Sequence, residues 1–97
     1  STKNILQLTK NSWLAYREYD GRTLLYFSHL LSYKKAIKEI RYSIDSEKLD
    51  IVFPLHTSDP RTYQVTVPHK TLKVVVQLTY QDDTQSATRT FLNPNHQ

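Results

Sequence analysis

Ser32-Tyr-Lys-Lys-Ala-Ile-Lys-Glu-Ile-Arg-Tyr-Ser-Ile-Asp45 is the stretch on which the reading of the fold turns. Tyr33, Ala36, Ile37, Ile40 and Ile44 recur in it at steps of three and four, the spacing that puts side chains on one stripe of an α-helix. The pattern predicts an amphipathic helix over 32–45. Ser32 is its expected N-cap, accepting a bond from a first-turn N–H, with Lys35 and Glu39 paired one turn apart and Asp45-Ser46-Glu47 ending it. The other side of such a helix carries Lys34, Lys38 and Arg41, with Lys35 at its edge, as a cationic strip about two turns long.

Toward the N-terminus, aromatic-rich sequence lies on both sides of Asp20-Gly21, the dipeptide a type I′ hairpin wants because both central residues take positive φ. Gly21 is the sole glycine, so a hairpin explains its presence. The rival reading makes 5–19 and 22–31 two helices meeting at that glycine. Residues 1–12 suit a short helix or an ordered arm.

Beyond the quoted stretch the period changes to two. Leu49, Ile51, Phe53 and Leu55 share one side of a strand, and Tyr63, Val65 and Val67 one side of the next, with Pro54, Pro60 and Pro68 bounding them. Leu72–Tyr80 reads as the central strand, with Leu72, Val74, Val76, Leu78 and Tyr80 facing the core. Ser86–Leu92 returns as the last strand, and 93–97 reads as a frayed tail. The predicted architecture is α+β: one domain over 1–97, an antiparallel sheet of up to six strands with one main amphipathic helix on a face, in the order ββαββββ.

Ninety-seven residues without cysteine suit one modest core and exclude a disulfide framework, thiol catalysis and cysteinyl zinc. No apolar run approaches the length needed to cross a bilayer, and no basic flank with an apolar stretch opens the chain. The compartment stays open, with the cytoplasm favoured. A single glycine excludes glycine-rich phosphate loops, and no serine occupies a nucleophile elbow. No cofactor is expected. None of His29, His56, His69 and His96 has a zinc spacing, so no metal site is expected either.

Thirteen Lys and Arg against nine Asp and Glu give a formal charge of +4, which points to anionic partners. The first functional expectation is therefore a small non-enzymatic binding or regulatory module. In it Lys34, Lys35, Lys38 and Arg41 meet the phosphates of a nucleic acid, with a log–log salt slope of about −3.6 on duplex DNA. A second is a protein-interaction module or homodimer that docks through an edge strand and the hairpin tyrosines Tyr16, Tyr19 and Tyr26.

A helix followed by an antiparallel sheet in a small basic domain also looks like the metal-independent ribonuclease toxins of the RelE-like and barnase-like kinds. The resemblance rests on element order across 32–92, without a shared motif, and an extra hairpin precedes the helix. Apart from that likeness, one histidine with nearby cations suffices for metal-free RNA cleavage, and the set that would carry it is His69 as acid–base group with Lys70, Lys73 and Arg89 around the phosphorane. Trp13, the Asp20-Gly21 hairpin and Ser32-Tyr-Lys-Lys-Ala-Ile resemble, over about 30 residues, the sheet-then-helix arm-binding domains of tyrosine recombinases, which place a sheet in the DNA major groove. Such a domain ends before Leu49 and accounts for only half of this chain.

Overall fold

Residues 37–44 form a strand, and this changes the architecture from the one predicted. The computed structural model describes residues 1–59 and 63–96. They fold as α1 (Thr2–Leu8), β1 (Ala15–Tyr19), β2 (Arg22–Tyr26), α2 (Ser28–Ser32), β3 (Ile37–Ile44), β4 (Ile51–Phe53), β5 (Gln64–Val67), β6 (Lys73–Tyr80) and β7 (Arg89–Leu92), with short 3₁₀ turns between some of them. The chain is α+β, but the strands make two antiparallel sheets, β1-β2-β5 and β4-β3-β6-β7, in place of one six-stranded sheet.

The helical spacing over 32–45 has a local cause. On β3, Ile37 pairs with Tyr80 and Glu39 with Thr79, so two residues of β3 advance against one of β6 and Lys38 is the extra residue of a bulge. From Ile40 onward, period two returns: Ile40, Tyr42 and Ile44 oppose Leu78, Val76 and Val74. The added residue puts Ile37 and Ile40, three apart, on the same buried face, which imitates a helix stripe. β-Branched and aromatic side chains favour the extended form, and pairing on both edges, to β4 and to β6, supplies the ladder bonds that a lone helix would make internally. Ser32 is not an N-cap. It closes α2, its hydroxyl donating to the Ser28 carbonyl, and Glu39 pairs with Arg41 rather than with Lys35.

The Asp20-Gly21 hairpin forms as predicted, with φ of 54° and 72° at the two residues and Tyr19 opposite Arg22. The two-helix alternative for 5–31 is thereby excluded, although α1 and the single turn α2 lie on either side of the hairpin. β6 is one of the two interior strands of the larger sheet, with β3, and is buried along Val74, Val75, Val76, Leu78 and Tyr80, but Leu72 precedes it and is exposed. Tyr63 stands ahead of β5 and points outward, freed from the alternation that buries Val67. The expected boundary at Pro60 lies outside the described residues, as does Gln97.

One core fills the space between the sheets. Leu25 and Val67 of the smaller sheet meet Ile37, Ile40, Tyr42, Phe53, Val74, Val76 and Leu78 of the larger, and Leu6, Trp13 and Leu30 close the sides. Phe27, after β2, packs with its ring tilted against those of Phe53 and Tyr42, at ring-centroid distances of 4.5 and 5.2 Å. Trp13 satisfies its indole N–H on the Leu6 carbonyl. The segment after β7 is tied down rather than frayed: Asn93 is fully buried, its amide donates to the Thr71 carbonyl and its backbone N–H to that of Leu72, and Asn95 N–H caps onto its side-chain oxygen. Among the described residues no helix is long and apolar enough to cross a membrane.

Candidate functional site

The four cations expected on one helix face are dispersed. Lys34 and Lys35 lie on a 3₁₀ turn before β3. Lys38, the bulge residue, is paired with Asp83, which raises its pKa. Arg41 is held by Glu39 at 2.7 Å and reaches the Leu49 carbonyl. Two of the four are thus compensated by the molecule's own carboxylates, and no continuous strip exists.

A different surface combines charge and rings. In β1 and β2, residues facing away from the core alternate, and the register sets Arg17 beside Leu24 and Tyr19 beside Arg22. β5 adds Thr66 beside Leu24 and Gln64 beside Tyr26. Arg17, Tyr19, Arg22, Leu24, Tyr26, Tyr63, Gln64 and Thr66 therefore line one shallow concavity on the outer face of the small sheet, with no carboxylate among them. Tyr26 and Tyr63 stack, with ring centroids 5.9 Å apart, and the Arg17 guanidinium lies over the Tyr19 ring at 4.9 Å. Of the three hairpin tyrosines, Tyr19 and Tyr26 belong to this face. Tyr16 does not: it faces inward and donates to the Phe91 carbonyl, and burial, with the Asp45 carboxylate adding to it, pushes its pKa well up. The arginines escaped the sequence reading because they are spread over a hairpin; the alternation Arg17-x-Tyr19 facing Arg22 across a two-residue turn is the signal that finds them.

The inner face of the same sheet carries a second constellation. Glu18, Thr23 and Val67 are cross-strand neighbours, and His69 continues the alternation of β5 two residues further on. Thr23 Oγ1 donates to Glu18 Oε1 at 2.7 Å, and His69 Nδ1 stands 3.1 Å from Glu18 Oε2. The 3₁₀ turn Pro94–His96 brings the His96 ring edge-on to that of His69, with centroids 5.1 Å apart. Nothing in the spacing of 18, 69 and 96 announces this.

His69 does not gather the expected cations. Lys70 is its exposed neighbour on the turn after β5, Lys73 binds Glu47 at 2.8 Å, and Arg89 donates to Asn11. Arg89 lines a separate cavity under the N-terminal helix with Lys10, Trp13 and Tyr80. The element order that carried the likeness to ribonuclease toxins is absent, since no helix occupies 32–45, and the same change removes the helix from the likeness to recombinase arm-binding domains. Comparison with known family models, with characterised proteins and with solved structures finds no match for this chain.

Proposed function

We propose that the protein is a non-enzymatic module that binds single-stranded nucleic acid on the outer face of the β1-β2-β5 sheet. The observation that carries this reading is the outward alternation of Arg17, Tyr19, Arg22 and Tyr26, extended by Tyr63, around a concavity whose lining, among the described residues, includes no carboxylate. Exposed rings on a sheet offer stacking platforms to unpaired bases, and guanidinium groups interleaved with them meet the backbone phosphates. The anionic partner is thus kept from the charge argument, while the residues that meet it move from 34–41 to the hairpin. A single strand is preferred over a duplex because stacking needs base faces, which a duplex hides.

Fluorescence anisotropy with labelled 12-mers of dT and U, measured over a series of salt concentrations, tests this. Two phosphate contacts on a single strand give a log–log slope of about −1.4, and Arg17→Ala or Arg22→Ala each reduces it by about 0.7. Tyr26→Ala or Tyr63→Ala weakens binding by about 1–3 kcal/mol for each base lost from a ring. Absence of binding at low salt, or binding indifferent to both arginines, defeats the reading.

A further inference from the structure

We infer that Glu18, His69 and His96 form a binding site for a divalent transition-metal ion of the zinc class. One carboxylate oxygen and one ring nitrogen from each histidine lie within 4.8 Å of one another, drawn from β1, from the turn after β5 and from the turn after β7. Zinc takes imidazole nitrogen and carboxylate oxygen at about 2.0–2.2 Å, so neighbouring ligands around a tetrahedral ion stand roughly 3.3 Å apart. The 3.1 Å between His69 Nδ1 and Glu18 Oε2 already matches that edge. The other two edges are within 4.8 Å, so they need to shorten by at most about 1.5 Å, and His69, more than half exposed, has room to turn.

Two features separate this cluster from an ordinary surface ion pair. Glu18 Oε2 and His96 Nε2 are shielded from solvent and make no hydrogen bond; the close approach of His69 to Oε2 does not have hydrogen-bond geometry. Such atoms are normally satisfied, and a cation between them satisfies both. The second feature is that the other carboxylate oxygen is already fixed: Oε1 accepts from Thr23 Oγ1, which also reaches the His69 carbonyl at 3.4 Å. An outer hydrogen bond that orients a ligand carboxylate is the usual companion of a metal site. Three protein ligands leave a fourth position open on the exposed side of His69, where water or an anionic group completes the sphere. Mixed imidazole and carboxylate donors suit zinc and its first-row neighbours better than magnesium or calcium, which prefer oxygen alone.

The test titrates the full chain with ZnCl₂ against a chromophoric chelator and follows the imidazole nitrogens by long-range ¹H–¹⁵N spectra. The expected result is saturable one-to-one binding, with shifts confined to nitrogens of His69 and His96. Glu18→Gln, His69→Ala and His96→Ala each weaken affinity at least tenfold, while His29→Ala and His56→Ala leave it unchanged. The spectra of the unmodified protein decide the matter even where a variant folds poorly. No saturable zinc binding, or shifts that fall on His29 or His56 instead, overturns the inference. Oligonucleotide affinity is read on the opposite face of the sheet, so its failure leaves this result standing.

Discussion

Replacing Asn93 with Ala probes the anchor on which the C-terminal turn, and with it His96, depends. The Asn93 amide donates to the carbonyl of Thr71, itself fully buried, at 2.9 Å. Removing the donor leaves that carbonyl without this partner in a place water does not reach, at a cost of about 1–3 kcal/mol. The bond from Asn95 N–H to the Asn93 side chain is lost as well; that group lies nearer the surface and solvent replaces most of it, leaving about 0.5 kcal/mol. The backbone bond from Asn93 to Leu72 survives. The total is about 1.5–3.5 kcal/mol, which for a domain of this size lowers Tm by roughly 6–28 °C. Urea denaturation followed by circular dichroism gives the loss directly, as a lower midpoint at unchanged slope. Asn93→Asp separates the two bonds: it keeps an acceptor for Asn95 but sets a carboxylate oxygen against the Thr71 carbonyl, and it destabilises at least as much as Ala at neutral pH. A loss below about 0.5 kcal/mol for Asn93→Ala, or an Asp variant milder than the Ala variant, refutes the reasoning. Because the turn also positions His96, the Ala variant is expected to bind zinc more weakly.

Tyr42 lies outside the helical stripe of 32–45 yet is buried in the core beside Phe27, so Tyr42→Ala costs about 3–5 kcal/mol; a surface-sized effect in chemical denaturation contradicts a stranded β3. Gly21 holds φ of 72° with open space around the missing side chain, so Gly21→Ala loses about 1–2 kcal/mol through backbone strain alone, and equal stability of the two proteins argues against the I′ turn. Asp82 is held well below the usual carboxylate range by its bonds to Thr84 and Lys3. A lowered folded pKa gives stability that is present above the unfolded value of about 3.9 and is lost as pH falls below it. Thermal melts from pH 2 to 7 should show Asp82→Asn less stable than the parent at neutral pH and converging with it in acid; parallel curves sink the assignment.

Local chemistry was legible wherever it sufficed to fix the backbone. Asp20-Gly21 makes its hairpin because positive φ is cheap there, and burial alternates along 51–55 and 76–80, although Val75 is buried together with Val74 and Val76. Residues 32–45 defeat the same logic through a single inserted residue. A bulge at Lys38 is decided by the partner strand, where Tyr80 and Thr79 are consecutive while Ile37 and Glu39 are not, and no window of sequence contains that information. Glu18, His69 and His96 are illegible for a related reason: each is unremarkable in its own segment, and only the pairing of β1, β2 and β5, with the anchored turn after β7, brings them together.

The inserted residue also decides where the positive charge can act. On a helix, Lys34, Lys38 and Arg41 align because four residues make about one turn. On β3, Lys38 occupies the bulge and binds Asp83, while Arg41 lies three residues further along, next to Glu39. The extended chain sets Lys38 and Arg41 about 10 Å apart, each beside a carboxylate, while Lys34 stays on the turn ahead of the strand. The hairpin has no such extra residue, and its regular register therefore keeps Arg17 and Arg22 on one face with Tyr19 and Tyr26. The same rule of alternation that disperses one group of cations concentrates the other. With Lys38 and Arg41 tied to Asp83 and Glu39, the guanidinium groups that the regular strands align, unpaired among the described residues, are those of Arg17 and Arg22, and the proposed anionic partner would meet them there.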